Sequence, residues 1–265
     1  CLCDANVMFE PQALRLLVAQ LADAGVGAVT GDVRLASHDS NFGTGESVYY
    51  RIERAIQTCE SRIGTTVCVD GGMYVVRREL YGQLPVDTIL DDFVTSMNVL
   101  RRRKSVVFEP RAVAHENGLP LARQEFWRRV RVSAGAVQAV KRGNFPPCWR
   151  VVEFWQFVSH KLLRWAGPAW LALLLVSSSR LWDQGAVFQS ALVGQALLYL
   201  LAAAATVSVR FRATSLGGPP FYFVMSHVAM VIGTLKGLFN LQGAAWNRTE
   251  RSHLEIRTQA TTGAT

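Results

Sequence analysis

Four short groups of residues in this sequence are of the types that carry out acid–base or phosphate chemistry: Asp4-Ala5-Asn6, Gly71-Gly72, Asp91-Asp92, and Arg128 with Arg129 and Arg131. A carboxylate at the end of a strand can hold a hard divalent cation that bridges phosphates. Two glycines let the backbone approach a ligand closely. Adjacent carboxylates repel each other, so one of them can keep a raised pKa that suits proton abstraction. Clustered guanidinium groups suit pyrophosphate binding.

Each group also has an ordinary structural explanation. Asp4 and Asn6 are common turn residues, and Gly71 with Gly72 can form a tight turn. The macrodipole favours an Asp pair at the start of a helix. A basic helix can simply face solvent or anionic lipid. Taken singly, none of the four groups identifies a site.

The segments around these groups predict an α/β domain. Apolar runs predict strands at residues 1–9, 26–33, 65–70 and 105–109, the last ended by Pro110. Helical spacing of apolar residues predicts helices at 11–24, 46–63, 87–103 and 121–143. Strands that alternate with helices in this way favour a largely parallel sheet.

The charges of the 265-residue chain are unevenly distributed. The net charge is +8 and half of the residues are hydrophobic, yet residues 165–247 hold only five charged side chains. This pattern excludes an intrinsically disordered chain and a simple soluble enzyme. The five cysteines include no C-x-x-C pair, so we expect reduced thiols in a cytosolic compartment rather than a disulfide framework or a zinc site.

The second half of the chain predicts a membrane region. Residues 151–164 are amphipathic, as expected of a helix in the membrane interface. Uncharged stretches follow at 165–179, 186–209 and 213–235. The 24 residues of the second stretch would extend roughly 36 Å as a helix, enough to cross a bilayer.

These observations divide the chain into four parts: a polar α/β domain at 1–148, an interfacial helix at 149–164, a membrane domain of two to three hydrophobic helices at 165–247, and a polar tail at 248–265. Lysine and arginine flank the apolar stretches at 161–164 and 210–212. The positive-inside rule then predicts a multi-pass membrane protein whose α/β domain is cytoplasmic, and we expect it in the cell (inner) membrane. The side of the tail stays open.

The order and spacing of the four groups are more specific than any one of them. The sequence resembles the processive-type family 2 glycosyltransferases, which include bacterial hyaluronan, chitin, cellulose and poly-N-acetylglucosamine synthases and membrane glycolipid synthases. The resemblance runs from residue 1 to about residue 251. Its most specific parts are TILDDF, VVFEPRAVAHE and EFWRRVR, and WNRTER resembles a W-x-x-T-x-R stretch of some members. It implies a partial GT-A nucleotide-diphospho-sugar transferase domain followed by an interfacial helix and transmembrane helices.

The resemblance also implies roles for individual residues. Asp4 matches the first Asp of a D-x-D motif that binds the metal and the donor diphosphate, and Asn6 stands at its second Asp. Asp92 matches the Asp of the T-E-D motif, the base that deprotonates the acceptor hydroxyl, and Asp91 matches its Glu. Mg²⁺ or Mn²⁺ is the implied cofactor.

Further matches concern the acceptor and the diphosphate. Gly71 and Gly72 match the acceptor-side loop. Arg128 and Arg131 match the Gln and Arg of Q-x-x-R-W and would bind the diphosphate. Val132 stands in place of the motif's Trp and cannot stack on a sugar ring, which favours a single transfer over long-chain synthesis.

The resulting prediction is an inverting membrane glycosyltransferase that moves a sugar from a nucleotide-diphospho-sugar, UDP-linked by the resemblance, to a saccharide or lipid acceptor through a β-linkage. The expected partners are the donor, the acceptor and membrane lipid, and not nucleic acid. The family's nucleoside-binding strands precede the D-x-D strand, so we expect a chain that starts at this strand to be truncated and inactive in isolation.

Three other functions remain open at this stage. The pI of about 9.6 is compatible with nucleic-acid binding, although the basic residues crowd next to the apolar region, where anionic lipid is the better partner. Lys236 and His227 in apolar surroundings would be the candidate sites of a transporter or channel. A non-catalytic membrane scaffold, or an inactive fragment of such an enzyme, is the main alternative.

Overall fold

The computed structural model describes residues 1–35, 44–116 and 122–244. Five of the described segments form one sheet: β1 (Leu2–Cys3), β2 (Val7–Phe9), β3 (Val26–Leu35), β4 (Met73–Val76) and β5 (Ser105–Glu116). The strand order is β1-β4-β3-β5-β2. Only β3 and β5 run parallel, while β1–β4, β2–β5 and β3–β4 are antiparallel. The α/β prediction is confirmed. The expectation of a largely parallel sheet is wrong, because the direction of each strand depends on partners that are distant in the sequence.

The predicted strand 1–9 is two short strands. A turn at Asp4-Ala5-Asn6 separates β1 from β2, and the two then pair with different strands. The predicted strand at 65–70 is irregular chain, and β4 begins only after Gly72. The turn residues and the glycines therefore mark breaks in the strands, next to which functional side chains can project.

β5 does not end at Pro110 but passes through a bulge. Its register with β3 shifts between the pairs Gly31↔Glu109 and Asp32↔Val113. A Cβ on Gly31 would lie 2.2 Å from Met73 Cε and 2.4 Å from the Ala112 carbonyl oxygen. Glycine is therefore required where the bulge crosses β3.

Ten α-helices lie in the described ranges: α1 (Ala13–Gln20), α2 (Thr44–Ile63), α3 (Asp91–Arg101), α4 (Ala122–Lys141), α5 (Val151–Gln156), α6 (Leu163–Trp165), α7 (Gly167–Arg180), α8 (Ala186–Val207), α9 (Val209–Arg212) and α10 (Gly218–Leu238). A π-helical turn, Phe157–Leu162, joins α5 to α6. α1 covers one apolar cluster of the sheet through Leu17, and α3 covers another through Met97 and Leu100. The sheet is thus a layer with apolar contacts to both helices.

In the part of the chain that the structure describes, two helices are long and apolar enough to cross a membrane, α8 and α10. The segment Val151–Trp165 and α7 could together form a third, broken span, and they bend by 63° at their junction. α10 approaches α4 closely, since a Cβ on Gly233 would lie 2.4 Å from the Val130 carbonyl oxygen. Gly233 and Gly237 have the G-x-x-x-G spacing that allows close packing between helices.

Candidate active site

The predicted carboxylate pair lies at the start of α3, which begins at Asp91 and not at residue 87 as the sequence predicted. α4 holds the preceding segment in place. The Gln138 side chain accepts a hydrogen bond from Ile89 N at 3.0 Å and donates to the Asp87 carbonyl oxygen at 2.9 Å. A Cβ on Gly135 would lie 2.6 Å from Leu90 Cγ. α4 therefore fixes the segment that leads into the carboxylate pair.

The Asp92 side chain lies beside the predicted acceptor loop. Its Oδ1 accepts a hydrogen bond from Phe93 N at 2.7 Å. Its Oδ2 would lie 3.2 Å from a Cβ on Gly71, so the missing side chain leaves space next to the carboxylate. Ser96 Oγ donates to the Asp92 carbonyl oxygen at 2.8 Å and accepts from Val69 N at 3.0 Å. This bridge joins the first turn of α3 to the chain that leads into Gly71.

The surroundings of Asp92 favour its protonated form. Burial, assisted by the negative charges of Asp91 and Asp70, raises the pKa of Asp92 to about 6, against the opposing effects of the Phe93 amide and of Lys161. Asp91 itself is exposed. A carboxylate with a pKa just below neutral is ionised at physiological pH and still basic enough to accept a proton.

Asp70 is a member of this group that the sequence analysis did not select. Its Oδ1 accepts a hydrogen bond from Gly72 N at 3.0 Å, and its Oδ2 lies 3.4 Å from Arg54 Nη1 on α2. Asp70 N donates to Thr30 Oγ1 at 2.9 Å. The position of an Asp directly before Gly-Gly was the available signal, since Asp commonly accepts from the backbone amide two residues on.

Asp4 and Asn6 lie at the turn between β1 and β2, close to the same loop. Asp4 N donates to the Gly72 carbonyl oxygen at 3.4 Å, and the Asp4 side chain is exposed. Asn6 Nδ2 donates to Glu116 Oε1 at 3.0 Å. The predicted donor turn and the predicted acceptor loop are thus neighbours.

Arg131 on α4 joins these groups electrostatically. Burial lowers the pKa of the Arg131 guanidinium, and the negative charges of Asp91, Asp92 and Asp4 oppose that effect. Arg131 also donates to the Ala244 carbonyl oxygen at 3.3 Å. Arg131 therefore lies within electrostatic range of the predicted donor turn and of the carboxylate pair.

Arg128 has different partners. It donates to both carboxylate oxygens of Glu125, at 2.6 and 2.8 Å, and to Tyr50 Oη at 3.5 Å. Although burial opposes ionisation, Arg128 and Arg129 together hold the pKa of Glu125 below its usual range. Glu125 thus offsets one of the two positive charges of Arg128 and Arg129, and a diphosphate would compete with Glu125 for the Arg128 guanidinium.

The described residues do not by themselves form a complete metal-binding site. Within residues 1–35, 44–116 and 122–244, no group of three or more His, Cys, Asp or Glu side chains could hold one. The exposed Asp4 carboxylate still fits a Mg²⁺-type ion, because such ions are commonly held by one or two carboxylates together with substrate phosphates. The Asn6 amide nitrogen faces Glu116, so only its amide oxygen could serve as a neutral ligand.

No protein-family model matches the chain, and no curated protein matches it. Among solved structures, it is similar to the mannosyltransferase PcManGT from Pyrobaculum calidifontis in complex with GDP-Man and Mn²⁺. The TM-score is 0.59 at 20% sequence identity, over 91% of this chain and 62% of that one. The chain therefore has a glycosyltransferase-like α/β fold and spans less than two thirds of that neighbour's length.

The WNRTER stretch of the sequence resemblance lies outside the described residues. Lys236, the candidate transporter residue, lies with its Nζ 5.0 Å from the centroid of the Trp127 ring on α4. This cation–π contact accounts for a cation at the end of an apolar helix.

Proposed function

We propose that this chain is the catalytic and membrane part of an inverting glycosyltransferase that uses a nucleotide-diphospho-sugar donor. The observation that carries the proposal is the position of the Gly71-Gly72 step between the predicted base and the predicted donor turn. Asp92 Oδ2 would lie 3.2 Å from a Cβ on Gly71, and Asp4 N donates to the Gly72 carbonyl oxygen at 3.4 Å. The glycosyltransferase-like fold supports the same function.

In this proposal Asp92 is the general base. Its carboxylate takes the proton of an acceptor hydroxyl, whose oxygen attacks the anomeric carbon of the donor. The bond from that carbon to the diphosphate breaks on the opposite face, so the configuration inverts and an α-linked donor gives a β-linked product. Arg131 stabilises the negative charge that develops on the leaving diphosphate.

The space beside Gly71 and Gly72 is assigned to the acceptor. Asp4, with Asn6 at its side, would hold Mg²⁺ or Mn²⁺ together with the donor phosphates, and such an ion neutralises phosphate charge. The sequence resemblance favours a UDP-sugar, whereas the structural neighbour is in complex with GDP-Man, so both donor classes have to be tested.

Arg128 is assigned to the diphosphate only if its guanidinium leaves the Glu125 carboxylate.

The acceptor is assigned to the membrane surface. α8 would cross the inner membrane, whereas α10, which packs on α4 from Tyr222 to Leu238, would lie at the membrane surface. The amphipathic segment 151–165 would seat the catalytic cleft on the cytoplasmic face. A lipid acceptor then reaches the cleft from the bilayer, and a single transfer is favoured.

The decisive experiment measures sugar transfer by the full-length protein in membranes. Radiolabelled UDP- and GDP-sugars are supplied with Mg²⁺ or Mn²⁺, and the product mass is determined. We expect Asp92→Asn to lose at least about 10²-fold in transfer, the range typical of a general base. The matched Asp183→Asn change, on an exposed turn between α7 and α8, should leave the rate unchanged. Transfer by Asp92→Asn at the wild-type rate would refute Asp92 as the base, and no transfer by either protein with any donor would favour the non-catalytic scaffold.

A further inference from the structure

The guanidinium group of Arg54 on α2 binds two aspartates near the sheet. Its Nε lies 2.6 Å from Asp32 Oδ1 on β3, and its Nη1 lies 3.4 Å from Asp70 Oδ2. Nη1 also donates to Gln57 Oε1 at 3.2 Å, and Nη2 donates to the Val33 carbonyl oxygen. All three nitrogens of the guanidinium therefore have acceptors, which fixes the position of this planar group.

This guanidinium group is largely shielded from solvent. The side chain of Arg54 is 16% exposed, and the side chains of Asp32 and Asp70 are 14% and 28% exposed. Asp32 has a second cationic partner, because Arg34 Nε lies 2.7 Å from its Oδ2, and Arg34 is 54% exposed. Arg34 therefore shares Asp32 with Arg54 and provides a natural comparison for it.

Asp70 connects Arg54 to the Gly71-Gly72 step. While Asp70 Oδ2 faces Arg54, Asp70 Oδ1 accepts the hydrogen bond from Gly72 N at 3.0 Å. The turn is tight, because a Cβ on Gly72 would lie 3.2 Å from Asp70 Oδ1 and 3.4 Å from Val33 Cγ2. One carboxylate thus contacts α2 with one oxygen and the loop backbone with the other.

The Gly71-Gly72 step borders the space beside the proposed base. Asp92 Oδ2 would lie 3.2 Å from a Cβ on Gly71, and Gly72 accepts from Asp4 N through its carbonyl oxygen. A small movement of this step therefore changes the space in which an acceptor hydroxyl has to be placed. Reaction rates respond strongly to such movements, since a misplacement of about 1 Å can cost about 10²-fold.

Other hydrogen bonds hold the backbone before this step. Val69 N donates to Ser96 Oγ at 3.0 Å, and Asp70 N donates to Thr30 Oγ1 at 2.9 Å. These bonds fix the main chain up to Asp70, whereas Arg54 contacts the Asp70 carboxylate. Loss of Arg54 should therefore loosen the Gly71-Gly72 step without unfolding the chain that precedes it.

We propose that Arg54 is a positioning residue for the acceptor side of the cleft and that it acts through Asp70. It orients the Asp70 carboxylate, which holds Gly72 N and thereby sets the space between Gly71 and Asp92. Arg54 itself does not contact substrate in this arrangement. The inference rests on the proposed roles of Asp92 and of the Gly71-Gly72 step, and the link from Arg54 to the loop can be measured without sugar transfer.

The first test measures amide hydrogen exchange of the full-length protein in detergent micelles. We expect Arg54→Met to raise exchange in the segment 69–73 by about tenfold, because the acceptor of Gly72 N is no longer held in place, and to leave exchange in β3 unchanged. The matched control Arg34→Met removes the other partner of Asp32 and should leave exchange in 69–73 unchanged. Unchanged exchange in Arg54→Met, or an equal rise in Arg34→Met, overturns the proposal.

A second variant covers a failure of Arg54→Met to fold. Arg54→Lys keeps a positive charge for Asp32, but a single ammonium group does not reproduce the fork that also reaches Asp70 and the Val33 carbonyl oxygen. It should therefore show the same local rise in exchange. Wild-type exchange in folded Arg54→Lys overturns the proposal as well.

Sugar transfer separates positioning of the acceptor from a general structural role. Radiolabelled UDP- or GDP-sugar is supplied to the full-length protein in membranes, and transfer is measured together with hydrolysis of the donor by water. We expect Arg54→Met to lower the ratio of transfer to hydrolysis about tenfold with the donor KM unchanged, because water needs no positioned acceptor. Arg34→Met should keep the wild-type ratio.

The same assay keeps the two proposals apart. A wild-type ratio of transfer to hydrolysis in Arg54→Met contradicts the positioning role. If exchange in 69–73 rises in Arg54→Met while Asp92→Asn retains full transfer, the proposed role of Asp92 fails and the link from Arg54 through Asp70 to the loop stands.

Discussion

The ionisation of Asp92 should make sugar transfer sensitive to pH just below neutrality. Its pKa is raised to about 6, and a general base works only in its ionised form. With that pKa, about nine-tenths of the molecules carry the carboxylate at pH 7 and about one-tenth at pH 5. We therefore expect kcat/KM to fall about tenfold between these values, whereas an aspartate of ordinary pKa would lose less than about a tenth of its activity.

The assay follows initial rates of transfer in membranes from about pH 5 to 8, with donor binding measured in parallel so that a change in KM is recognised. Asp70→Asn is the companion variant, because Asn keeps an acceptor for Gly72 N and removes a charge that raises the pKa of Asp92. Its acid limb should move to lower pH. A profile that stays flat down to pH 5, or an Asp70→Asn limb that moves upward, would refute the reasoning.

Three further outcomes are expected from thermal unfolding in detergent and from transfer assays. Folded protein holds the Asp92 proton more tightly than unfolded protein, so this residue lowers the stability of the fold as pH rises from about 4 to about 6. Asp92→Asn should therefore gain about 2–3 kcal/mol at pH 7 and nothing below about pH 4. Glu53→Gln should lose about 3–5 kcal/mol, because it leaves the buried Lys161 and Arg164 without their carboxylate partner. The exposed Glu10→Gln should change stability by less than about 0.5 kcal/mol, and equal losses would contradict the buried ion pairing of Glu53. Gly135→Ala should lose about 1–3 kcal/mol and lower kcat, because its Cβ displaces Leu90, and Gly82→Ala, with nothing within 4 Å, should do neither.

The sequence predicted best what depends on neighbouring residues. Apolar spacing predicted helix α4 at 121–143, and the structure has it at Ala122–Lys141. Residue types alone selected the Asp pair and the Gly-Gly step, and Asp92 lies beside Gly71 in the structure. The directions of the strands were not, because pairing is a tertiary property. Pro110 predicted the end of a strand, yet a bulge opposite Gly31 lets β5 continue.

Lys161 shows what amphipathicity leaves open. A polar helix face with Lys and Arg next to an apolar stretch is typical of a membrane interface, and the sequence analysis interpreted it so. The pattern does not tell which surface covers that face. In the structure it is covered by Glu53 and Glu60 of a helix about 100 residues away along the chain, a distance over which no local pattern carries information.

The contact between α4 and α10 extends this reasoning to the membrane region. Gly233 and Gly237 bring α10 within backbone contact of α4, where a Cβ on Gly237 would lie 2.8 Å from the Ala134 carbonyl oxygen. The same α4 carries Arg131 and holds the segment before Asp91 through Gln138. A helix long enough to cross the bilayer thus packs directly on the helix that positions the proposed base. Displacing α10 should disturb α4, because closely packed helices do not deform independently. We therefore expect detergents that separate α10 from α4 to abolish transfer before they unfold the sheet.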